Sequence, residues 1–251
     1  MKRTALAFWI ACALLTSTAE AQKKMKSWTE WSEKDAKKIL ENSPWAQTQV
    51  QTDTSQMYYH PLQGTITPGT PASGTPDMVN QAVSVNYHIR FLSAKPIRQA
   101  FARIVELGQK NADPRLLKGL RDFVDRKFDQ WIVVAVTFDC KDQRYSMPAM
   151  QLFNSAVLGT LKNNTYLELK NGKRLFIEDY KAPINDGLGA KFIFPRTVDG
   201  EPFIMAESGQ VRFYSELPGS AAVQSGSTPN PLTLNMLFKV ADFMYEGTLE
   251  Y

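Results

Sequence analysis

His60, His88 and Cys140 are the side chains beyond the N-terminal leader best suited to proton transfer or nucleophilic attack near neutral pH. A catalytic cysteine needs a neighbouring base or positive charge that favours its thiolate. Lys141 adjoins Cys140, but Asp139 and Asp142 oppose it, so the thiol reads as structural, at the end of a strand. His88 falls on the outward phase of an alternating strand and reads as an exposed or edge histidine. His60 precedes Pro61, with Tyr58 and Tyr59 beside it and Asp53 as the nearest carboxylate. Zinc takes three or four His, Cys or carboxylate ligands, so neither a metal site nor a cofactor is expected.

Other reactive sets are equally thin. The G-x-S-x-G elbow, the phosphate-binding G-x-x-x-x-G-K-[ST] loop and G-x-G-x-x-G are missing from the sequence. Gly187-Leu188-Gly189-Ala190 reads as a turn before a strand. Glu178, Asp179 and Glu201 could supply the two carboxylates of glycoside hydrolysis, yet a chain with 25 acidic residues offers such pairs by chance. No catalytic residue is assigned. The favoured reading is not an enzyme, and a secreted hydrolase whose site assembles only in three dimensions is the alternative.

The elements that must position any site begin with an export signal. Met1-Lys2-Arg3, the apolar run Ala5 to Leu15 and Ala19-Glu20-Ala21 have the form of a signal peptide over residues 1–21, cleaved after Ala21. The run falls short of the about 20 apolar residues that a spanning helix needs, so no mature transmembrane segment is expected. The expected location is periplasmic or secreted. An uncleaved N-terminal anchor and lipidation at Cys12 are the alternatives. Losing Lys2, Arg3 and Glu20 lowers the formal charge from +4 to +3. That modest balance carries no message about nucleic acid by itself; export and the lack of aromatics interleaved with the basic residues argue against it. Cys12 leaves with the leader, so Cys140 has no partner for an intrachain disulfide and stability rests on packing.

Residues 22–53 carry a capped helix and a strand. Ser32-Glu33-Lys34-Asp35 has the form of a capping box, Ala36, Ile39 and Leu40 share one face, and Asn42-Ser43-Pro44 ends the helix. Trp28, Trp31 and Trp45 bracket it. They either dock the short helix on its own domain or form an exposed aromatic platform for sugars or a protein partner. Residues 54–81 are a Pro/Gly/Thr-rich loop or linker.

Residues 82–251 hold the core. Val83 to Phe91 alternate as a half-buried strand. Ser93 is expected to cap a helix with Pro96 in its first turn and Ile97, Ala100, Phe101, Ile104 and Val105 inward. Asp113-Pro114 starts a second helix, and the run from Trp131 to Phe138 reads as a central strand covered on both faces. Ser146-Met147-Pro148 is expected to start a third. Strands then follow around Asn171-Gly172, a strong hairpin signal, and over Lys191 to Pro195, Pro202 to Met205 and Val211 to Leu217. A flexible loop at 218–231 precedes a last strand pair within Leu232 to Tyr251. This order predicts an α+β fold, an antiparallel sheet or sandwich with two to four helices packed on one side.

One charged feature stands out. Over residues 95–127 Lys95, Arg98, Arg103, Lys110, Arg115, Lys118, Arg121, Arg126 and Lys127 outnumber Glu106, Asp113, Asp122 and Asp125. Pairs such as Asp122–Arg126 and Arg121–Asp125 would make it a solvated face. The sharper reading is a surface for anionic lipid headgroups, acidic glycans or an acidic envelope protein, with Arg98, Arg103 and Lys118 as its contacts.

Three stretches, Trp28-Thr29-Glu30-Trp31-Ser32-Glu33-Lys34-Asp35-Ala36-Lys37-Lys38-Ile39-Leu40-Glu41-Asn42-Ser43-Pro44-Trp45, Phe192-Ile193-Phe194-Pro195-Arg196 and Tyr245-Glu246-Gly247-Thr248-Leu249-Glu250-Tyr251, resemble a family of uncharacterised exported bacterial proteins of the acidobacterial type. The resemblance spans nearly the whole mature chain. It implies export and one shared fold, and carries no activity across. The sequence therefore points to a non-enzymatic envelope or secreted protein, an interaction or structural module.

Overall fold

The computed structural model describes residues 26–53, 82–109, 113–219 and 231–251. The leader, the 54–81 loop with His60, Lys110 and most of the 218–231 loop lie outside the described residues. In chain order the elements are α1 (Glu33–Glu41), β1 (Ala46–Asp53), β2 (Val83–Phe91), α2 (Lys95–Gly108), α3 (Pro114–Asp125), β3 (Trp131–Asp139), α4 (Gln143–Ser155) and α5 (Leu158–Leu161). They continue with β4 (Thr165–Leu169), β5 (Arg174–Phe176), β6 (Asp179–Lys181), β7 (Ala190–Pro195), β8 (Thr197–Val198) and β9 (Glu201–Pro202). The last are β10 (Gln210–Leu217), β11 (Leu232–Lys239), β12 (Met244–Tyr245) and β13 (Thr248–Leu249).

The chain adopts the α+β class with antiparallel sheets. The first sheet runs β1-β2-β3-β7-β6 and the second β11-β10-β4-β5, every pairing antiparallel. Alternation in β2 sends Val85, Tyr87, Ile89 and Phe91 into the space between the sheets. The second sheet answers with Leu167, Val211, Phe213, Leu234 and Phe238. Phe91 meets Phe238 edge-on at 5.0 Å, and Phe192 meets Phe213 at 5.3 Å. The β3 run is buried on both faces because it lies in the middle of the first sheet. Asn171-Gly172 turns β4 into β5, with Gly172 at φ 84°.

The outer face of the first sheet receives helices. Ser32 and Asp35 form the expected reciprocal cap at the start of α1, and Ala36 packs with Trp31 and with Ala100 of α2. The end of α1 leaves carbonyls that no helical N–H can reach. Ser43 Oγ donates to Ile39 O at 2.7 Å, Arg90 Nε to Leu40 O at 2.5 Å and Thr48 Oγ1 to Glu41 O at 3.1 Å. Among the described residues no helix is long and apolar enough to cross a membrane.

Local expectations are corrected at four places. Ser93 does not cap α2: its hydroxyl accepts from Val133 N at 3.0 Å, Ala94 takes the cap position, and the Glu250 carboxylate accepts from Lys95 N at 2.8 Å. The helix expected to start at Ser146 is α4, which starts at Gln143, capped by Asp142, with Pro148 inside it. Burial of Tyr145, Ala149, Leu152 and Phe153 outweighs the backbone hydrogen bond that proline forfeits. Pro202 to Met205 supplies only a two-residue strand, Glu201–Pro202. His88 is not on an edge, because β2 lies between β1 and β3, and only 13% of its side chain is exposed.

The free edge of β11 is sealed by side chains. Gln49 Nε2 donates to Thr233 O at 2.8 Å and its Oε1 accepts from Asn235 N at 2.8 Å, while Gln47 Nε2 donates to Leu237 O at 3.0 Å. These amides take the place of a fifth strand, and an unsealed edge invites pairing with another chain. Replacing Gln47 and Gln49 together by alanine should lower unfolding free energy by about 1–2 kcal/mol in urea titrations and raise self-association in light scattering. A second outcome concerns Tyr87, whose buried hydroxyl has no hydrogen-bond partner among the described residues. Tyr87→Phe should leave urea stability unchanged or raise it by about 1 kcal/mol, because the phenol forgoes a desolvation penalty.

Candidate functional site

The sequence-predicted contact residues are dispersed, and most are structural. Trp31 is buried between α1 and α2, with Nε1 donating to Lys26 O at 3.2 Å. Trp45 is buried edge-on against Tyr245 at 5.8 Å, and its Nε1 donates to Glu250 O at 2.8 Å. Trp28 is half-buried beside the Trp31 cluster. These indoles dock the first helix and the C-terminal segment onto the body, so they do not make an exposed platform.

Arg98 is 4% exposed. Its guanidinium donates to Val124 O at 3.2 Å, Arg126 O at 3.1 Å, Leu92 O at 3.4 Å and Ser93 O, and stands over the Phe128 ring at 4.8 Å. Burial pulls its pKa down to about 10, with Glu250 opposing the shift and Arg126 and Arg196 reinforcing it. Arg103 donates to Trp31 O at 2.8 Å and pairs with Glu106 at 2.8 Å. Of the three basic residues, Lys118 stands in solvent, paired with Asp122 at 2.7 Å. Asp122 thus pairs one turn back along α3 rather than forward to Arg126.

Reactive groups do meet once. His88 Nε2 lies 2.6 Å from Asp139 Oδ2 and Nδ1 lies 2.8 Å from Thr48 Oγ1, a hydroxyl–imidazole–carboxylate row. Its surroundings suit support rather than attack. The Thr48 hydroxyl also faces Glu41 O at the negative end of α1, which disfavours an oxyanion. The nearest guanidinium, Arg90, is occupied by Leu40 O and Thr137 Oγ1, and burial lowers its pKa to about 10. Cys140 is half-buried just beyond the end of β3. Asp179 pairs with Lys181 at 2.8 Å, and Glu201 is exposed on β9. The described residues contain no group of three or more His, Cys, Asp or Glu placed to hold a metal ion.

The arrangement best built for contact is one that strand patterning alone did not assemble. On the outer face of the second sheet, register sets Phe176 beside Tyr166 and Tyr166 beside Tyr214. The two tyrosine rings stack at 5.0 Å with an 18° interplanar angle. Arg174 lies 4.3 Å from the Tyr166 centroid, and Phe176 meets the same ring edge-on at 5.7 Å. Arg174 and Tyr214 come from strands on opposite sides of β4, and both pack against the Tyr166 ring. In the next row Glu168 pairs with Arg174 at 2.5 Å and with Arg212 at 4.0 Å. Phe176 at one end of the aromatic row and Asn235 at the other are both exposed, so solvent reaches both ends. The readable signal was aromatic residues on the outward phase of β4 and β10. Their juxtaposition needed the register.

Arg98 and Lys118 should separate sharply in urea unfolding. Arg98→Met leaves several buried carbonyls without a donor and should cost about 3 kcal/mol or more. Lys118→Ala, which breaks only an exposed pair, should not move the midpoint. Comparison with protein-family models, curated proteins and solved structures finds no match for this chain.

Proposed function

We propose that this chain is an exported, non-enzymatic contact module of the cell envelope, and that the outer face of its second sheet binds glycan. The observation that carries the reading is the stacked row Arg174–Tyr166–Tyr214, flanked by Phe176 and open to solvent. A pyranose ring has an apolar face of axial C–H groups and a rim of hydroxyls. An aromatic ring takes the first, and a fixed network of carboxylate and guanidinium takes the second. Glu168 lies between Arg174 and Arg212, and Glu216 accepts from Tyr214 Oη at 3.3 Å, so two guanidiniums face two carboxylates and the face offers donors and acceptors with little net charge. Such a balance favours a neutral polar ligand over an anionic one. Export rests on the leader pattern of residues 1–21. The only assembled hydroxyl–imidazole–carboxylate row among the described residues serves the end of α1, and this supports contact rather than turnover.

The test is binding of the mature chain to soluble peptidoglycan fragments and to neutral polysaccharide, by affinity electrophoresis and calorimetry. Tyr214→Ala and Phe176→Ala, both on the solvent side of the sheet, should keep the wild-type melting temperature and weaken binding about tenfold or more, a loss of roughly 1.4 kcal/mol. Indifference of both variants, or steady release of cleaved glycan by the wild type, would overturn the reading.

A further inference from the structure

A second site, independent of the aromatic face, lies where the start of α2, the end of α3 and the β12–β13 hairpin meet. A cleft of about 400 Å³ opens there, and five cationic side chains line it against three carboxylates. Its cations are Lys95, Arg98, Arg126, Lys127 and Arg196. The lining carries two more cations than carboxylates, and Lys95 also pairs with Glu246 at 3.3 Å. Arg98 spends its donors on neutral carbonyls, and Arg196 donates to Phe128 O at 3.4 Å and Tyr251 O at 2.8 Å. Among the described residues Arg98 forms no ion pair, and neither do Arg126 and Lys127 at the exposed rim. Its carboxylates are Asp125 and Asp129 beside the rim cations and Glu250, which accepts from the Lys95 backbone N–H at 2.8 Å.

We propose that this cleft binds a phosphoryl oxyanion, either free phosphate or the phosphate of a lipid headgroup. Guanidinium and ammonium groups converging from different elements match the tetrahedral oxygens of such a group. The volume admits a phosphoryl group and a substituent. The buried guanidinium of Arg98 and the half-buried one of Arg196 add charge beneath the site while their N–H groups hold backbone oxygens, so the exposed Arg126 and Lys127 side chains supply the direct contacts. Glu250 is an internal competitor: it supplies one negative charge at the α2 end of the cleft, and an incoming anion must share the site with it.

Calorimetry with inorganic phosphate at constant ionic strength reads the free-anion arm. Flotation with phosphatidylglycerol vesicles, against phosphatidylcholine vesicles, reads the headgroup arm. The joint variant Arg126→Ser with Lys127→Ser alters only exposed side chains and should weaken binding at least tenfold. Glu250→Gln keeps an oxygen for Lys95 N–H while removing the charge, and should tighten binding about tenfold. Melting temperatures of both variants check the fold. Phosphate binding without vesicle flotation assigns a soluble ligand; flotation that phosphate competes away assigns a headgroup. If neither probe binds, or if binding is the same in the wild type and the rim variant, the proposal is wrong.

Discussion

The two sheets are held apart and together by phenyl rings, and the rest of the molecule is arranged around that layer. Phe91 touches both Phe238 and Phe243, and Phe213 touches both Phe192 and Phe194, all edge-on or tilted. Each large ring removes on the order of 150–250 Å² from water, and its edge-to-face geometry fixes the spacing that facing strands must keep. Phe238 and Phe243 follow Phe91 by 147 and 152 positions in the sequence, yet both rings close on it. The fold therefore depends on contacts distant along the chain, which carry a loop-closure penalty that only burial offsets.

Once the sheets face each other, polar backbone is stranded at several places, and long side chains reach across to satisfy it. Arg98 closes the end of α3, Arg90 and Thr48 close the end of α1, and the glutamines of β1 close the edge of β11. The C-terminal segment returns the favour in the opposite direction. Glu250 accepts from Lys95 N, its carbonyl accepts from Trp45 Nε1, and Tyr245 Oη donates to Gln99 Oε1 at 2.8 Å. Arg196 fastens Tyr251 through its carbonyl and lies 3.9 Å over its ring. Trp45, Arg196 and the segment from Tyr245 to Tyr251 thus meet at one corner of the molecule.

What was legible in the sequence was local. The Ser32–Asp35 box, the alternation of β2, the buried run of β3 and the Asn171-Gly172 turn depend on residues a few positions apart, and each forms as read. Misreadings share a different cause. Ser93 looked like a cap because the true carboxylate is 155 residues from Lys95. Arg98 looked like surface charge because the carbonyls it binds belong to a helix end 26 residues away and to loops. Pro148 looked like a first-turn proline because tertiary burial, which sequence spacing does not report, carries the helix past it. The candidate contact face was hidden for the same reason: Tyr166 and Tyr214 are neighbours only through the β4–β10 register.

Charge in this chain therefore divides by partner rather than by location in the sequence. Cations facing carbonyls, such as Arg98 and Arg90, are part of the scaffold, and their protonation is opposed by burial. Those facing carboxylates on a solvent surface, such as Arg174 beside Glu168, organise a nearly neutral array in which aromatic rings dominate. Arg126 and Lys127 belong to neither group, because their side chains remain exposed at the mouth of a cleft whose deeper cations are already spoken for. A basic run read as one surface is in fact a scaffold element, a solvated helix face and a cleft rim, and only the rim leaves positive charge available for a ligand. The two proposed contact surfaces thus differ in the fraction of their charge that the fold has already neutralised.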